Sequence, residues 1–348
     1  MENVQTQKKA SIGGWLADSW KSKPLFSTGC ALALMVVLQT IALGFDQGSV
    51  GAWFVAWGKN WINILRNNAG VGIIALGMTF VIISGGIDLA VGSTMVAIGA
   101  VIMLLIDGNT NGVLAVAGIT GVPAYIIGIL AGVVVGVILG ECSGLLIAHR
   151  GMPPFIATLG MMKICRSVTQ QCMQQISPAV PKSFLGIANT RIGGEIILPI
   201  IYWLVIAAVL YIVSTRTAFG RQVFAVGSSE RTSKLSGVNV KKIKRRVYAL
   251  MGGLVAITAV IQIARIGSMD YANAGSGYEM DAIAAVIIGG TSMSGGRGSI
   301  IGTVLGMLIL AVMNNLLNLI GVPPFLREAF KGVIVVAAVL LQKKETAN

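Results

Sequence analysis

Residues 122–148 form a run of 27 positions with one charged side chain, Glu141. Roughly 17–25 apolar residues cross a ~30 Å hydrocarbon core as a helix, and no soluble element of ordinary length needs such a run. About ten segments can be cut to this pattern: 25–44, 67–84, 91–106, 122–148, 153–175, 197–214, 247–265, 282–290, 300–320 and 325–341. Lipid offers backbone groups no partners, so each crossing must be helical unless it lines a protected cavity. The expected fold class is therefore all-α, a polytopic membrane helical bundle of about ten transmembrane segments with broken or short helices. The low charged fraction, 11% against about 25% in soluble domains, agrees with this reading.

The formal net charge of +13 first suggests nucleic acid, but its distribution argues otherwise. Nine basic residues and a single acid, Glu230, fall in the one long polar interior segment, 215–246. By the positive-inside rule that loop is cytoplasmic, as are a tail at 1–24 with Lys8, Lys9, Lys21 and Lys23 and a closing tail at 343–348 with Lys343 and Lys344. The chain then reads as one membrane unit, 25–342, with 215–246 as its cytoplasmic loop. Lys241, Lys242, Lys244, Arg245 and Arg246 are expected against the membrane surface, where anionic headgroups attract them. On charge alone the expected partner is lipid, and no nucleic acid.

Smaller signals refine the picture. Trp53, Trp57 and Trp61 recur at i, i+4 and i+8, one helical face, either as an interfacial belt or as a packed seam. Ser27-Thr28-Gly29-Cys30 imitates a lipoprotein cleavage box, but the apolar stretch follows the cysteine, so 25–44 reads as a retained span. The four cysteines lack metal-ligand spacing and read as packing residues, with no metal site. Gly151-Met-Pro-Pro-Phe155 and Gly321-Val-Pro-Pro-Phe325 hint at a duplication with inverted halves, a common transporter plan.

Two stretches break the helical rule: Ser84 to Ser93, containing Gly85-Gly86-Ile87-Asp88, and Gly289 to Ser299, containing Thr291, Ser292 and Ser294. Broken helices expose backbone donors and acceptors near mid-membrane and suit a hydroxyl-rich solute; close glycine packing between helices is the other reading. Ser84, Asp88, Ser93, Glu141, Thr291, Ser292 and Ser294 are the candidate substrate-pathway residues. Asp88 either lines such a path or caps a helix starting at Leu89. Glu141 has no capping role and is expected in a polar pair or a cavity wall, with Lys163 or Arg166 as partner. Enzymatic constellations are missing: no H-E-x-x-H, no Walker A loop, and a sole histidine, His149, at a span end. An Asp88–Asp281 protease dyad lacks its Gly-x-Gly-Asp context. No catalytic residue is expected.

The chain is similar to the ribose/galactose-type (monosaccharide) ABC importer permeases over about residues 60–340. The resemblance rests on Gly77-Met-Thr-Phe-Val-Ile-Ile-Ser-Gly-Gly-Ile-Asp-Leu-Ala-Val-Gly-Ser93, Pro154-Phe-Ile-Ala-Thr-Leu-Gly-Met-Met162, Thr217-Ala-Phe-Gly-Arg221 and, above all, Tyr278-Glu-Met-Asp-Ala-Ile-Ala-Ala-Val-Ile-Ile-Gly-Gly-Thr-Ser-Met-Ser-Gly-Gly-Arg-Gly-Ser299. It implies a multi-pass permease of the bacterial inner membrane with both termini cytoplasmic. It also implies a second permease copy or a related one, a cytoplasmic ABC ATPase, often two domains fused in one chain, and an extracytoplasmic sugar-binding protein. No cofactor is implied for this chain, because ATP is bound by the partner subunit.

The resemblance also places an ATPase-coupling segment at Phe219, Gly220, Arg221, Gly227, Ser228, Ser229, Glu230, Ser236 and Gly237. The family pattern there is Gly-Gly-Asn-x-Ala-Ala followed by Ser-Gly. Here Ser228 and Ser229 replace Gly-Asn, and Arg231 and Thr232 replace Ala-Ala, while Gly227, Leu235, Ser236 and Gly237 are kept. The implied cargo is a monosaccharide or similar polyol. A nucleoside or autoinducer-type furanose importer is the neighbouring reading, and a stand-alone proton-coupled secondary transporter, using Glu141 or Asp88, the reading from another class.

Overall fold

A computed structural model describes residues 24–45, 48–108, 112–174, 176 and 178–345. The expected tail at 1–24 (Pro24 apart), Asn109–Asn111 of the polar turn and 346–348 of the closing tail lie outside the described residues. Those described form fourteen helices and one short hairpin: α1 (Pro24–Ala42), α2 (Val50–Ile83), α3 (Val91–Ile106), α4 (Val113–Val116), α5 (Val122–Arg150), α6 (Pro154–Met173), α7 (Gly186–Asn189), then β1 (Arg191–Ile192) and β2 (Glu195–Ile196). There follow α8 (Leu198–Arg216), α9 (Ala218–Ser228), α10 (Glu230–Leu235), α11 (Val240–Ile266), α12 (Tyr278–Ile288), α13 (Ile300–Leu319) and α14 (Pro324–Glu345). The strands are antiparallel, and Gly193 and Gly194, with φ of 61° and 89°, supply the two positive-φ positions of a tight hairpin turn.

The chain is a helical membrane bundle. Six helices are long and apolar enough to cross a bilayer: α1, α2, α5, α8, α11 and α13. The sequence suggested about ten, and the difference lies in four further helices. At about 1.5 Å per residue, α3 spans about 24 Å and α12 about 16 Å, less than a full hydrocarbon core. α6 carries Lys163 and Arg166, and α14 carries Arg327, Glu328 and Lys331, which dilute their hydropathy.

Centre and periphery separate cleanly. The most apolar windows of α2 and α11 are 78% and 72% buried within the protein, while those of α1, α5 and α8 are 11%, 22% and 28% buried and turn their side chains outward. α2 is the central strut. Its C-terminal half, including Ile73, Ile74, Leu76 and Met78, is fully enclosed, and its 34 residues reach about 51 Å. Sequence alone placed this span at 67–84, but the helix runs back to Val50, capped by Ser49, whose hydroxyl accepts from Ala52 N–H at 3.2 Å. The added turns carry the tryptophan stripe, which is a seam. The indoles of Trp53, Trp57 and Trp61 lie face to face or tilted at centroid separations of 6.4 and 5.9 Å. Trp53 Nε1 donates to the Gly44 carbonyl at 2.8 Å and Trp57 Nε1 to Thr40 Oγ1 at 3.2 Å, fastening α2 to the end of α1.

α5 packs by glycine. Gly128, Gly132, Gly136, Gly140 and Gly144 recur every fourth residue and make up most of its buried face. Such small-residue stripes let helix backbones approach closely where lipid supplies no hydrophobic drive. A Cβ on Gly132 would strike Ile102 of α3, and a Cβ on Gly136 or Gly140 would strike the Gly252 or Tyr248 carbonyl of α11. The two Pro-Pro turns have matching geometry. Gly151 ends α5 and Gly321 follows α13, with φ of 68° and 79°, and Pro154 and Pro324 open the next helices.

Candidate functional site: a glycine junction and a buried polar centre

Three glycine-bearing segments meet at one end of the bundle. The Ile83 carbonyl, at the last turn of α2, accepts from Gly296 N–H at 2.9 Å. Gly227, one residue from the end of α9, lies against the same pair: an added Cβ would overlap the Ile83 carbonyl and come 2.6 Å from Gly296 N. A Cβ on Gly296 would in turn sit 2.5 Å from Ser228 Oγ. Gly295 and Gly296 hold φ of 82° and 72°, so glycine is required there for backbone conformation as well as space. The breaks at 84–86 and 289–299 therefore contact the polar loop directly, a juxtaposition that the mid-membrane expectation for both did not foresee.

The segment expected to couple to an ATPase folds as a pair of well-capped short helices. Thr217 Oγ1 accepts from Gly220 N–H at 3.1 Å to start α9, and Gly220 fits because any Cβ would press on the Val213 and Ser214 carbonyls. Phe219 stacks on Phe80 of α2 with centroids 6.1 Å apart. Arg221 Nη1 donates to the Arg216 carbonyl at 3.4 Å. Ser229 caps α10 by accepting from Thr232 N–H at 3.2 Å, which explains why serine serves where the family pattern has Asn. Ser228 Oγ donates back to the Phe224 carbonyl at 2.9 Å. Glu230 pairs with Lys244 of α11. Ser236 is the C-cap residue and Gly237, with φ of 80°, turns the chain. Arg231, Lys234 and Leu235 point outward, and Leu235 is 84% exposed, a large apolar side chain on a charged miniature helix.

The candidate pathway residues do not form one cluster. Ser84 is buried, its hydroxyl donating to the Val81 carbonyl at 2.8 Å, and it closes α2 beside the glycine junction. Thr291 is buried, Ser292 half-buried and Ser294 exposed, in the turn that carries Gly295 and Gly296. Asp88 and Ser93 belong to a second place, the start of α3. Asp88 Oδ1 accepts from Ala90 N–H at 2.9 Å, and Ser93 Oγ donates to the Ala90 carbonyl at 2.9 Å. The helix begins at Val91 rather than Leu89, with Asp88 shaping the turn before it. Glu141 is at neither place. Its partner is Arg245 of α11, reached by Nε at 2.7 Å, and not Lys163 or Arg166. Arg166 lies elsewhere, donating to the Tyr271 and Ala274 carbonyls at 3.2 and 2.9 Å.

Those carbonyls belong to the turn 267–277, which reaches the start of α3: a Cβ on Gly275 would lie 2.8 Å from the Gly92 carbonyl, and the Glu279 carboxylate lies beside Gly92. Two short helices, α3 and α12, thus bring their N-termini together, with Asp88, Glu279 and Arg166 around them. The Tyr248 hydroxyl of α11 donates to the Ile87 carbonyl at 3.1 Å, and Thr158 Oγ1 of α6 to the same carbonyl at 3.4 Å. Lys331 of α14 bridges Asp281 at 3.0 Å and Glu328 at 2.9 Å. Lys331, close behind Arg327 and Glu328 at the start of the closing run, was the sequence signal for this partner. No group of His, Cys, Asp and Glu able to hold a metal occurs among the described residues.

Residues 60–339 match the family model described as "Branched-chain amino acid transport system / permease component". The ribose import permease protein RbsC of Escherichia coli is 38% identical over 294 residues, covering 82% of this chain and 86% of that protein. RbsC of Bacillus subtilis is 38% identical over 297 residues, 83% and 86% of the two chains. The galactose/methyl galactoside import permease protein MglC of Haemophilus influenzae is 35% identical over 299 residues, 83% and 88%. No solved structure matches the chain.

Proposed function

The chain belongs to the monosaccharide ABC import permease family, and from that premise we propose that it carries a monosaccharide or similar polyol across the bacterial inner membrane. It is a non-enzymatic permease component in a multi-pass helical bundle. In our reading two permease copies, identical or related, form the route. An extracytoplasmic binding protein delivers the sugar, and a cytoplasmic ABC ATPase, in one or two chains, supplies the energy, so ATP is bound by the partner and this chain needs no cofactor. Residues 25–342 form the permease unit. Ten crossings, counting the short α3 and α12 and the more polar α6 and α14 with the six long apolar helices, bring both tails to the cytoplasm.

The observation that carries this reading is the glycine junction. Glu230–Leu235, with its exposed Leu235, offers a compact docking helix. Gly227, two residues before its capping Ser229, is wedged against Ile83 and Gly296 with no side chain between them. Motion of that helix passes straight into the end of α2 and the turn before α13. Phe219, Gly220 and Arg221 hold the entry of the segment, and Ser228, Ser229, Ser236 and Gly237 its caps. Ser84, Thr291, Ser292 and Ser294 lie where this motion arrives and would gate the cytoplasmic mouth. Asp88 and Ser93, at the facing helix N-termini, would line the deeper path, and Glu141 holds the wall through Arg245.

Uptake of radiolabelled ribose, galactose and xylose by cells or proteoliposomes carrying the permease with its ATPase and binding protein tests the proposal. Uptake should vanish when the ATPase cannot hydrolyse ATP and survive collapse of the proton gradient. The opposite pattern would establish a secondary transporter, and preferential uptake of a nucleoside or furanose autoinducer would move the cargo class.

A further inference from the structure

Beside the glycine stripe, α5 and α11 line two neighbouring open cavities. The first, about 370 Å³, lies at the end of the bundle that bears the coupling segment and is lined by His149 of α5, Asn239, and Lys241, Lys242, Arg245 and Arg246 of α11, with Glu141. Glu141 is taken by Arg245, so Lys241, Lys242 and Arg246 remain as an uncompensated cationic set, at the N-terminal turns of a 27-residue helix whose dipole adds to them. The second, about 430 Å³, continues along the same two helices and is apolar throughout: Val133 and Val137 of α5 face Leu250, Gly253, Leu254 and Ile257 of α11. From Arg246 to Ile257 is about 16 Å along the helix, close to one leaflet's half of a ~30 Å core. The neighbouring side chains of α5, among them Leu130, Val134 and Ile138, are exposed and would face lipid.

We propose that this pair of cavities is a binding site for one anionic phospholipid, its phosphate held by Lys241, Lys242 and Arg246 and an acyl chain lying in the groove against Gly253. Charge complementarity and the direct run from cationic cavity to apolar groove select this occupant over a purely polar or purely apolar one. A protein surface would meet the cations but leave the groove empty, and a neutral lipid would fill the groove but leave the cations unmatched. Basic cavities between spans on the cytoplasmic side are suited to anionic headgroups. The site lies where Arg245 and Lys244 tie α11 to Glu141 and to the coupling helix, so a lipid bound there steadies the hinge between span and loop.

The test is native mass spectrometry of the full-length permease in detergent with added phosphatidylglycerol, phosphatidylethanolamine or inorganic phosphate. Phosphatidylglycerol should be retained about tenfold or more tightly than phosphatidylethanolamine, as expected for several surface cations. The triple variant Lys241→Gln, Lys242→Gln, Arg246→Gln should erase that preference. Gly253→Leu fills the groove without a backbone clash, since a Cβ there meets only Val137 at 3.7 Å, and should weaken retention of both lipids. Equal retention of the two lipids, a preference that survives the triple variant, or no effect of Gly253→Leu would overturn the proposal. So would displacement of phosphatidylglycerol by inorganic phosphate, which would make the cavity a free-anion site. Disulfide-linked dimers of Gly253→Cys would likewise overturn it, by showing a second copy in the groove.

Discussion

Two of the glycine contacts in this molecule use the same residue for different ends. Along α5 and α11, Gly136, Gly140 and Gly252 sit in regular helix, backbone on backbone, between two elements of 29 and 27 residues. At the other contact, Gly227, Gly295 and Gly296 join the ends of α9 and α2 to a turn, and two of the three have positive φ. The first contact gives closeness alone, with each partner fixed by its own hydrogen-bond ladder. The second joins segments whose ladders end there, so its pieces can shift as units. Glycine in mid-span brings two helices together, and glycine where three ends meet would, on the proposed function, serve transmission.

The comparison can be broken by substitutions that add a single side chain. Gly252→Val should have the largest effect: its Cβ overlaps the Gly136 carbonyl, and neither backbone can yield. A cost above the ~1–3 kcal/mol of ordinary overpacking is expected, read as loss of folded permease from the membrane fraction. A variant with wild-type yield and melting would show that the stripe is not structural. Gly227→Ala also overlaps a backbone carbonyl, that of Ile83, so some yield should be lost. Uptake per folded permease should fall at least about tenfold further and ATP hydrolysis should lose its response to the loaded binding protein, a kinetic effect of more than about 1.4 kcal/mol. Equal loss of yield and uptake would erase the distinction between the two contacts. Lys244→Gln should be the mildest. Its partner Glu230 is 51% exposed, so the pair contributes about 0.2–1 kcal/mol and its loss should matter less as salt rises. A salt-independent loss of several degrees in melting temperature would give the pair a larger part in holding the coupling helix.

Much of the helical plan was legible because lipid imposes one rule on every apolar run. Each of the ten runs read from sequence coincides with a helix. Which of them are long and apolar enough to cross was not legible, because Arg166 and Lys331 find partners within the protein and hydropathy is blind to partners. The short helix α10 was legible through its caps: Ser229 and Gly237 declare its start and stop in any context. The destination of the 289–299 turn was not, since contact with Gly227 depends on how distant segments fold back together. The partner of Glu141 failed for a related reason. Lys163 and Arg166 are nearer in sequence, but the glycine stripe draws α11 onto α5 and brings Arg245 to it. That stripe, five glycines at every fourth position, was visible all along, as a pattern of spacing rather than of residue chemistry.

α2 is fastened at both ends. Near one, the indole of Trp53 holds the Gly44 carbonyl, and at the other the Ile83 carbonyl holds Gly296 N–H, with an unbroken helix of about 51 Å between. A rod of that length acts as a lever: a rocking of ten degrees about its midpoint would carry each end by about 4 Å. A nudge at one end of the rod would thereby reach the other without unwinding a turn.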